Sequence, residues 1–222
     1  MKRDSFRSEA GLQPIVLKPQ DVAVALKILV LENQDAVGIG SQSNAIVDPV
    51  PALLGAPKSR SWTLTELAKA THISIGEVHN ALNRLTGSGL LRSEGRRINR
   101  HALEEFLVHG VRYAFPAARG ATVRGLPTAY AAPVLKEQFL VSGQDMPVWP
   151  HSEGTMRGTA FSPLYNAAPD AALEDDKFYE LLAITDVLRG DFRTRERAVA
   201  TQLLQAQLAD GKLVNGASLT QE

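Results

Sequence analysis

Trp62-Thr-Leu-Thr-Glu-Leu-Ala-Lys-Ala-Thr71-His-Ile-Ser-Ile-Gly-Glu-Val-His-Asn80-Ala-Leu-Asn-Arg-Leu-Thr-Gly-Ser-Gly-Leu90-Leu-Arg-Ser-Glu-Gly-Arg-Arg97 is the stretch that decides the fold. Thr63 stands three residues before Glu66, a spacing in which the hydroxyl accepts from an orphan backbone N–H and the carboxylate reaches back to the cap. Ser74 and Glu77 repeat the pattern. Leu64, Leu67, Ala68 and Ala70 on the first helix, and Val78, Ala81, Leu82 and Leu85 on the second, are spaced as one buried face each. Only Thr71 to Ile73 separate the two, which forces a sharp corner rather than an antiparallel pair.

The other face of the second helix, over residues 75–86, presents Ile75, Gly76, His79, Asn80, Asn83 and Arg84, with Ser74 at its cap. These side chains are short or hydrogen-bonding. Asn bonds an adenine edge through two atoms, and His donates or accepts at a base or phosphate. Ser74 and Gly76 leave the positive helix end open to a phosphate. Gly87 and Gly89 end the helix, and Leu90-Leu91 leads into Arg92-Ser-Glu-Gly95-Arg-Arg-Ile98. Ser93 to Gly95 suit a tight turn, so Leu91 and Ile98 are expected to face each other on two short strands, a wing over 91–98 tipped by Arg92, Arg96 and Arg97.

Ser74, Val78, Leu82, Leu85, Gly89, Leu90 and Leu91 together resemble the winged helix-turn-helix transcription regulators, most nearly the MarR-like group, over roughly residues 18–108. The resemblance implies double-stranded DNA as partner, with Ser74, Ile75, Gly76, His79, Asn80, Asn83 and Arg84 at the major groove and Arg92, Arg96 and Arg97 on the backbone. Many relatives carry Arg where this chain has Asn80, so their base preference does not transfer.

Charge agrees once the chain is divided. The total is zero, but residues 1–130 hold 16 Lys and Arg against 11 Asp and Glu, a net of +5, and residues 131–222 hold 8 against 13, a net of −5. A basic nucleic-acid face and an acidic remainder fit that split. An excess of five does not carry binding alone, so a dimer, a few base contacts and strong salt dependence are expected.

With 222 residues and 44% apolar content the chain builds one large core or two small ones. It has no Cys, which excludes disulfides and thiolate chemistry and agrees with a reducing cytoplasm. No run reaches the ~20 apolar residues of a membrane span, and Met1-Lys-Arg-Asp-Ser-Phe-Arg is not a secretory signal. A cytoplasmic, non-membrane protein is the expectation.

Outward from the wing the chain divides as follows. Residues 1–17 read as a flexible arm with Lys2, Arg3 and Arg7. Pro19, Val22, Ala25, Leu26, Leu29 and Val30 give an opening helix to about Glu32. Residues 33–61 read as a long inserted loop, with a short strand near Ala45 to Val47, so the winged domain spans 18–110. Asn99 caps a helix from Arg100 to about His109 that Gly110 stops.

Residues 111–167 read as an irregular connecting region. Arg112, Arg119 and Arg124 with Tyr113 and Tyr130 either form a second DNA-facing strip or tie a loop to the acidic C-terminal part. Tyr113, Phe115 and Trp149 either line an effector cavity or are ordinary core.

Residues 168–222 read as a helical hairpin. One helix starts near Asp175 with an inward stripe of Phe178, Leu181, Leu182 and Leu188, and another runs from about Arg193 to Asp210. So apolar a pair needs cover, either from the winged domain of the same chain or from the same pair in a second chain, the latter giving a homodimer.

The histidines, His72, His79, His101, His109 and His151, lack zinc spacing, and no nucleophile elbow or phosphate loop is present, so neither an enzyme nor a cofactor is expected. The expected fold is mainly α with a small β-wing, a winged helix-turn-helix domain plus a C-terminal helical pair. The expected function is a dimeric repressor or autoregulator. The alternative is a protein-binding module, such as an antitoxin or assembly adaptor, whose residues 168–222 grip a partner.

Overall fold

The computed structural model describes residues 14–40, 62–139 and 146–209. Helices dominate: α1 (Pro19–Gly40), α2 (Leu64–Thr71), α3 (Ile75–Gly87), α4 (Arg100–Glu105), α5 (Val111–Ala114), α6 (Ala168–Glu174), α7 (Asp176–Arg189) and α8 (Thr194–Leu208). Three strands, β1 (Arg119–Pro127), β2 (Pro147–Pro150) and β3 (Met156–Phe161), form one small sheet. The mainly helical class with a winged domain and C-terminal helices is as the sequence predicts.

The core is organised on α1. Every residue from Asp21 to Val30 is buried, so this helix is covered on all sides rather than along one stripe. A helix apolar all round belongs at the centre of a fold. It packs against α2 and α3 on one flank and α7 on another. α7 is equally enclosed, with Phe178, Tyr179 and every residue from Leu181 to Gly190 buried. The winged domain of the same chain therefore supplies the cover that the C-terminal pair needs. α8 closes the outer side of α7 and is pinned at its end, where Asn33 donates to the Gln207 carbonyl at 3.0 Å and Arg100 to that of Leu208 at 3.2 Å.

Three sequence expectations are corrected. The opening helix does not stop near Glu32 but runs to Gly40, which shortens the expected loop; its proposed strand at Ala45 to Val47 lies outside the described residues, as do residues 1–13 of the arm. Gly110 does not stop the helix begun at Arg100. A π-turn over Phe106–Gly110 carries α4 into α5, because Leu107 and Val111 both reach the core and one extra residue per turn brings them there. Residues 111–167 are not irregular, since they carry the sheet.

That sheet closes on itself. β1 pairs antiparallel with β2 at one end (Leu126 opposite Trp149) and with β3 at the other (Arg124 opposite Arg157), while β2 and β3 pair in parallel. So tight a ring requires backbone against backbone. A Cβ on Gly125 would fall 2.1 Å from the Trp149 carbonyl oxygen, and one on Gly158 equally close to that of Met146. Glycine is the residue that fits there.

The sheet sits on α7 through a buried polar knot. Asp186, wholly enclosed, accepts from Thr128 Oγ1 at 2.6 Å, Trp149 Nε1 at 2.7 Å and Arg189 Nε at 2.7 Å. Arg189 donates onward to the Ser162 carbonyl, and Tyr179 donates its hydroxyl to that of Pro127. Every polar atom that α7 carries into this knot has a partner, the condition under which buried charge is tolerated.

Candidate nucleic-acid interface

The corner between α2 and α3 is built as its sequence requires. Thr63 Oγ1 accepts from the Glu66 N–H at 3.1 Å, and the Glu66 carboxylate accepts from the Thr63 N–H at 2.8 Å, a complete box. α2 ends with His72 in the left-handed region (φ 54°), which turns the chain sharply toward Ser74. Ser74 Oγ accepts from the Glu77 N–H at 3.3 Å and starts α3. The second box is only half made. The Glu77 carboxylate turns outward to Gln20 Nε2 at 2.6 Å, and to Lys18 Nζ and Asn80 Nδ2 at 3.4 Å. Its bonds to Asn80 and Lys18 hold that carboxyl below its ordinary range.

Val78, Ala81, Leu82 and Leu85 anchor α3 in the core, and Ser74, Ile75, Gly76, His79, Asn80 and Asn83 are exposed. Gly76, Asn80 and Asn83 fall at three- and four-residue intervals, hence on one ridge. A Cβ at Gly76 would meet no atom within 4 Å, so the first turn is open to close approach. Along the ridge the polar groups are lightly engaged: Asn80 with Glu77, and Asn83 Nδ2 with His79 Nδ1, each at 3.4 Å. Bonds that long are weak, and a base edge displaces them at little cost.

Arg84 is the exception among the sequence-selected residues. Its Nε and Nη2 each meet the buried carboxylate of Asp21 at 2.7 Å, and its side chain is only 19% exposed. Arg84 ties α3 to the start of α1 and is not part of the open ridge. The sequence carries no local sign of this, because the two residues are 63 positions apart.

The wing is shorter than expected. Leu91 and Ile98 form a single antiparallel bridge, both buried, and a 3₁₀ turn at Glu94–Arg96 stands where a tight turn at Ser93 to Gly95 was expected. The Arg92 N–H donates to the Arg97 carbonyl at 2.8 Å, and the Ile98 N–H to Glu32 on α1 at 2.9 Å. Burial pushes the Glu32 carboxyl up, against the pull of the Ile98 amide and the Arg100 charge. Arg92 and Arg97 are exposed beside the bridge. Arg96 is exposed too, at φ 50°, with its guanidinium 4.2 Å from the centre of the Trp62 ring.

Two contacts that sequence reasoning missed hold the corner against the C-terminal half. Tyr165 donates its hydroxyl to the Thr71 carbonyl at 2.9 Å, and His72 Nε2 meets Glu174 at the end of α6, also at 2.9 Å. Trp149 lies fully inside the core and Tyr113 is 75% exposed, so Tyr113, Phe115 and Trp149 do not share a cavity. A cleft of about 580 Å³ lies instead between α1, α2 and the α6–α7 junction, lined by Trp62, Leu31, Glu66 and the Lys27–Asp175 ion pair. Among the described residues no group of His, Asp and Glu is placed to hold a metal ion, and no helix is long and apolar enough to cross a membrane.

No curated protein and no solved structure matches the chain. The model of the IclR helix-turn-helix domain matches residues 54–95, which takes in α2, α3 and the first side of the wing; the matched family is the IclR type, not the MarR-like group that the motif resembles. Residues 54–95 are thus similar to the helix-turn-helix DNA-binding domain of IclR-type transcription regulators, which supports a DNA-binding regulator of the helix-turn-helix kind.

Proposed function

We propose that this protein is a sequence-specific transcription regulator in which α3 enters the major groove. Ser74, Ile75, Gly76, His79, Asn80 and Asn83 read bases or seat the helix end, and Arg92, Arg96 and Arg97 hold phosphates from the wing. The observation that carries this reading is the open first turn of α3 next to a ridge of unburied amides. Helix N-termini favour phosphate, and Asn offers a two-atom match to adenine. Arg84 is left out, because Asp21 occupies it.

The reading extends to a cytoplasmic homodimer that represses or autoregulates. One α3 offers two asparagines and a histidine, too few to specify a site in a genome, whereas two copies on a palindrome multiply their discrimination. The apolar faces of α7 are used within the chain, so a dimer contact would lie elsewhere. A mobility shift against duplexes selected from a random library, at two salt concentrations, is the test: recovery of a palindromic motif supports the reading, and salt-insensitive or undetectable binding removes it.

A further inference from the structure

Arg124 and Arg157 face each other directly across β1 and β3, and both are exposed. Side chains opposite each other on an antiparallel pair stand with their Cβ atoms about 5 Å apart, a placement in which like charges repel. Among the described residues neither arginine has a carboxylate partner. Arg124 is fixed by its Nε, which donates to the Gly154 carbonyl at 2.7 Å. Asp170 bonds His151 Nε2 at 2.9 Å, and Glu153 lies within the 151–154 turn and forms no ion pair with either arginine. The surrounding chain is one-sided, since residues 106–135 hold Arg112, Arg119 and Arg124 and not one Asp or Glu.

The turn beside this pair is also tied to the DNA-reading corner. The His151 N–H donates to the Arg124 carbonyl, and its ring holds Asp170 in the first turn of α6; Glu174, at the other end of α6, holds His72 in the α2–α3 corner. α6 has 7 residues, a span of about 10 Å. The turn that carries the arginine pair is therefore linked to the α2–α3 corner through α6, whose Asp170 and Glu174 lie one helical turn apart, about 6 Å.

We infer that Arg124 and Arg157 form a second DNA contact, a phosphate clamp that grips the duplex backbone beside the segment read by α3. The two guanidiniums, a repulsive pair without an anion, become a matched one when a phosphate sits between them. This rests on the helix-turn-helix reading above and adds a footprint to it: the protein needs more duplex than α3 and the wing alone cover.

The test compares two duplexes with the full chain. One is the shortest selected duplex whose binding still falls on Asn80→Ala, and the other extends it by about one helical turn, ~10 base pairs, on each side. The wild type is expected to bind the longer duplex more tightly. Arg157→Glu is expected to lose roughly tenfold on the longer duplex and to flatten its salt slope by about one to two, with the shorter duplex unchanged. Its melting temperature is expected to hold or rise, because the cross-strand repulsion is gone, and Arg157→Gln is expected to lie between the two. Equal wild-type affinity for both duplexes overturns the clamp and leaves the α3 reading intact. Equal loss by Arg157→Glu on both lengths, or a fall in melting temperature that tracks the affinity loss, also overturns it. A wild type that binds neither duplex removes the α3 reading and the clamp with it.

Discussion

Arg84 closes two nitrogens on the wholly buried carboxylate of Asp21, each at 2.7 Å, and so joins α3, the proposed recognition helix, to the first turn of the central helix α1. The Lys18 N–H donates to the same carboxylate at 2.8 Å. The bond to Asp21 raises the Arg84 guanidinium further above an already high value, so Arg84 stays charged across the working range. Its effect is mechanical: it sets the angle at which α3 leaves the body.

Removing one member of that pair leaves an uncompensated buried charge. Asp21→Ala and Arg84→Met are each expected to cost about 3–5 kcal/mol, the second because it strands the wholly buried Asp21 carboxylate even though the thioether keeps the stem's packing. Urea unfolding measures this. Whatever DNA affinity remains in the folded Arg84→Met protein is expected to be within about threefold of wild type, because Asp21 holds Arg84 away from the proposed reading ridge. A selective loss at particular base pairs would return Arg84 to the reading face.

Asn80→Ala is expected to weaken binding by about 1–3 kcal/mol at one or two base positions and to leave random-sequence binding unchanged. Arg97→Ala is expected to weaken every sequence alike and reduce the salt slope by about one. Titrations of both variants on a selected duplex and a scrambled one separate the two roles.

Acid sensitivity is expected at the α1–α7 contact. Burial pushes the Asp175 carboxyl up, but the Lys27 ammonium, 2.6 Å away, and the Phe178 and Lys177 amides outweigh it and hold the carboxyl below its ordinary value. A carboxyl lowered in the folded state stabilises above the unfolded value near 3.9, and that contribution is lost as pH falls through the folded value. Asp186 is pushed up by its burial and acts in the opposite direction, so the difference between wild type and Lys27→Met isolates Asp175. Melting curves between about pH 3 and pH 6 are expected to show the Lys27→Met deficit shrinking as the solution becomes more acid.

The closed sheet has its own check. Gly125→Ala would drive a methyl into the Trp149 carbonyl and is expected to cost about 1–3 kcal/mol or more, as overpacking does. Gly76→Ala, where nothing lies within 4 Å, is expected to hold or raise stability by up to about 1 kcal/mol while weakening DNA binding. Opposite signs at two exchanges of the same kind distinguish a glycine kept for packing from one kept for a ligand.

Local chemistry was readable and distant pairing was not. The Thr63 box, the Ser74 cap, the buried spacing of α3 and the Asn99 cap of α4 each depend on residues within four positions, and each stands where the sequence puts it. The partners of Glu77, Arg84 and Asp186 come from other elements, and no local pattern names them. The strands were hidden for a related reason. Gly120, Gly125 and Gly158 break the alternation that marks a half-buried strand, and β2 is a four-residue segment bounded by Pro147 and Pro150. α1 and α7 read as striped helices because a single sequence shows what is apolar, not how many sides will be covered.

Because α1 serves both flanks, the half that carries the helix-turn-helix has no seam along which it could be separated. A gene fragment ending at Ala114 would encode α1 with the side meant for α7 stripped to water, and Lys27 would lose both Asp175 and the Phe178 ring it lies over. Such a fragment is expected to aggregate instead of acting as a portable domain, so any lineage that borrowed this reading head for another body would have had to replace that missing wall at the same step.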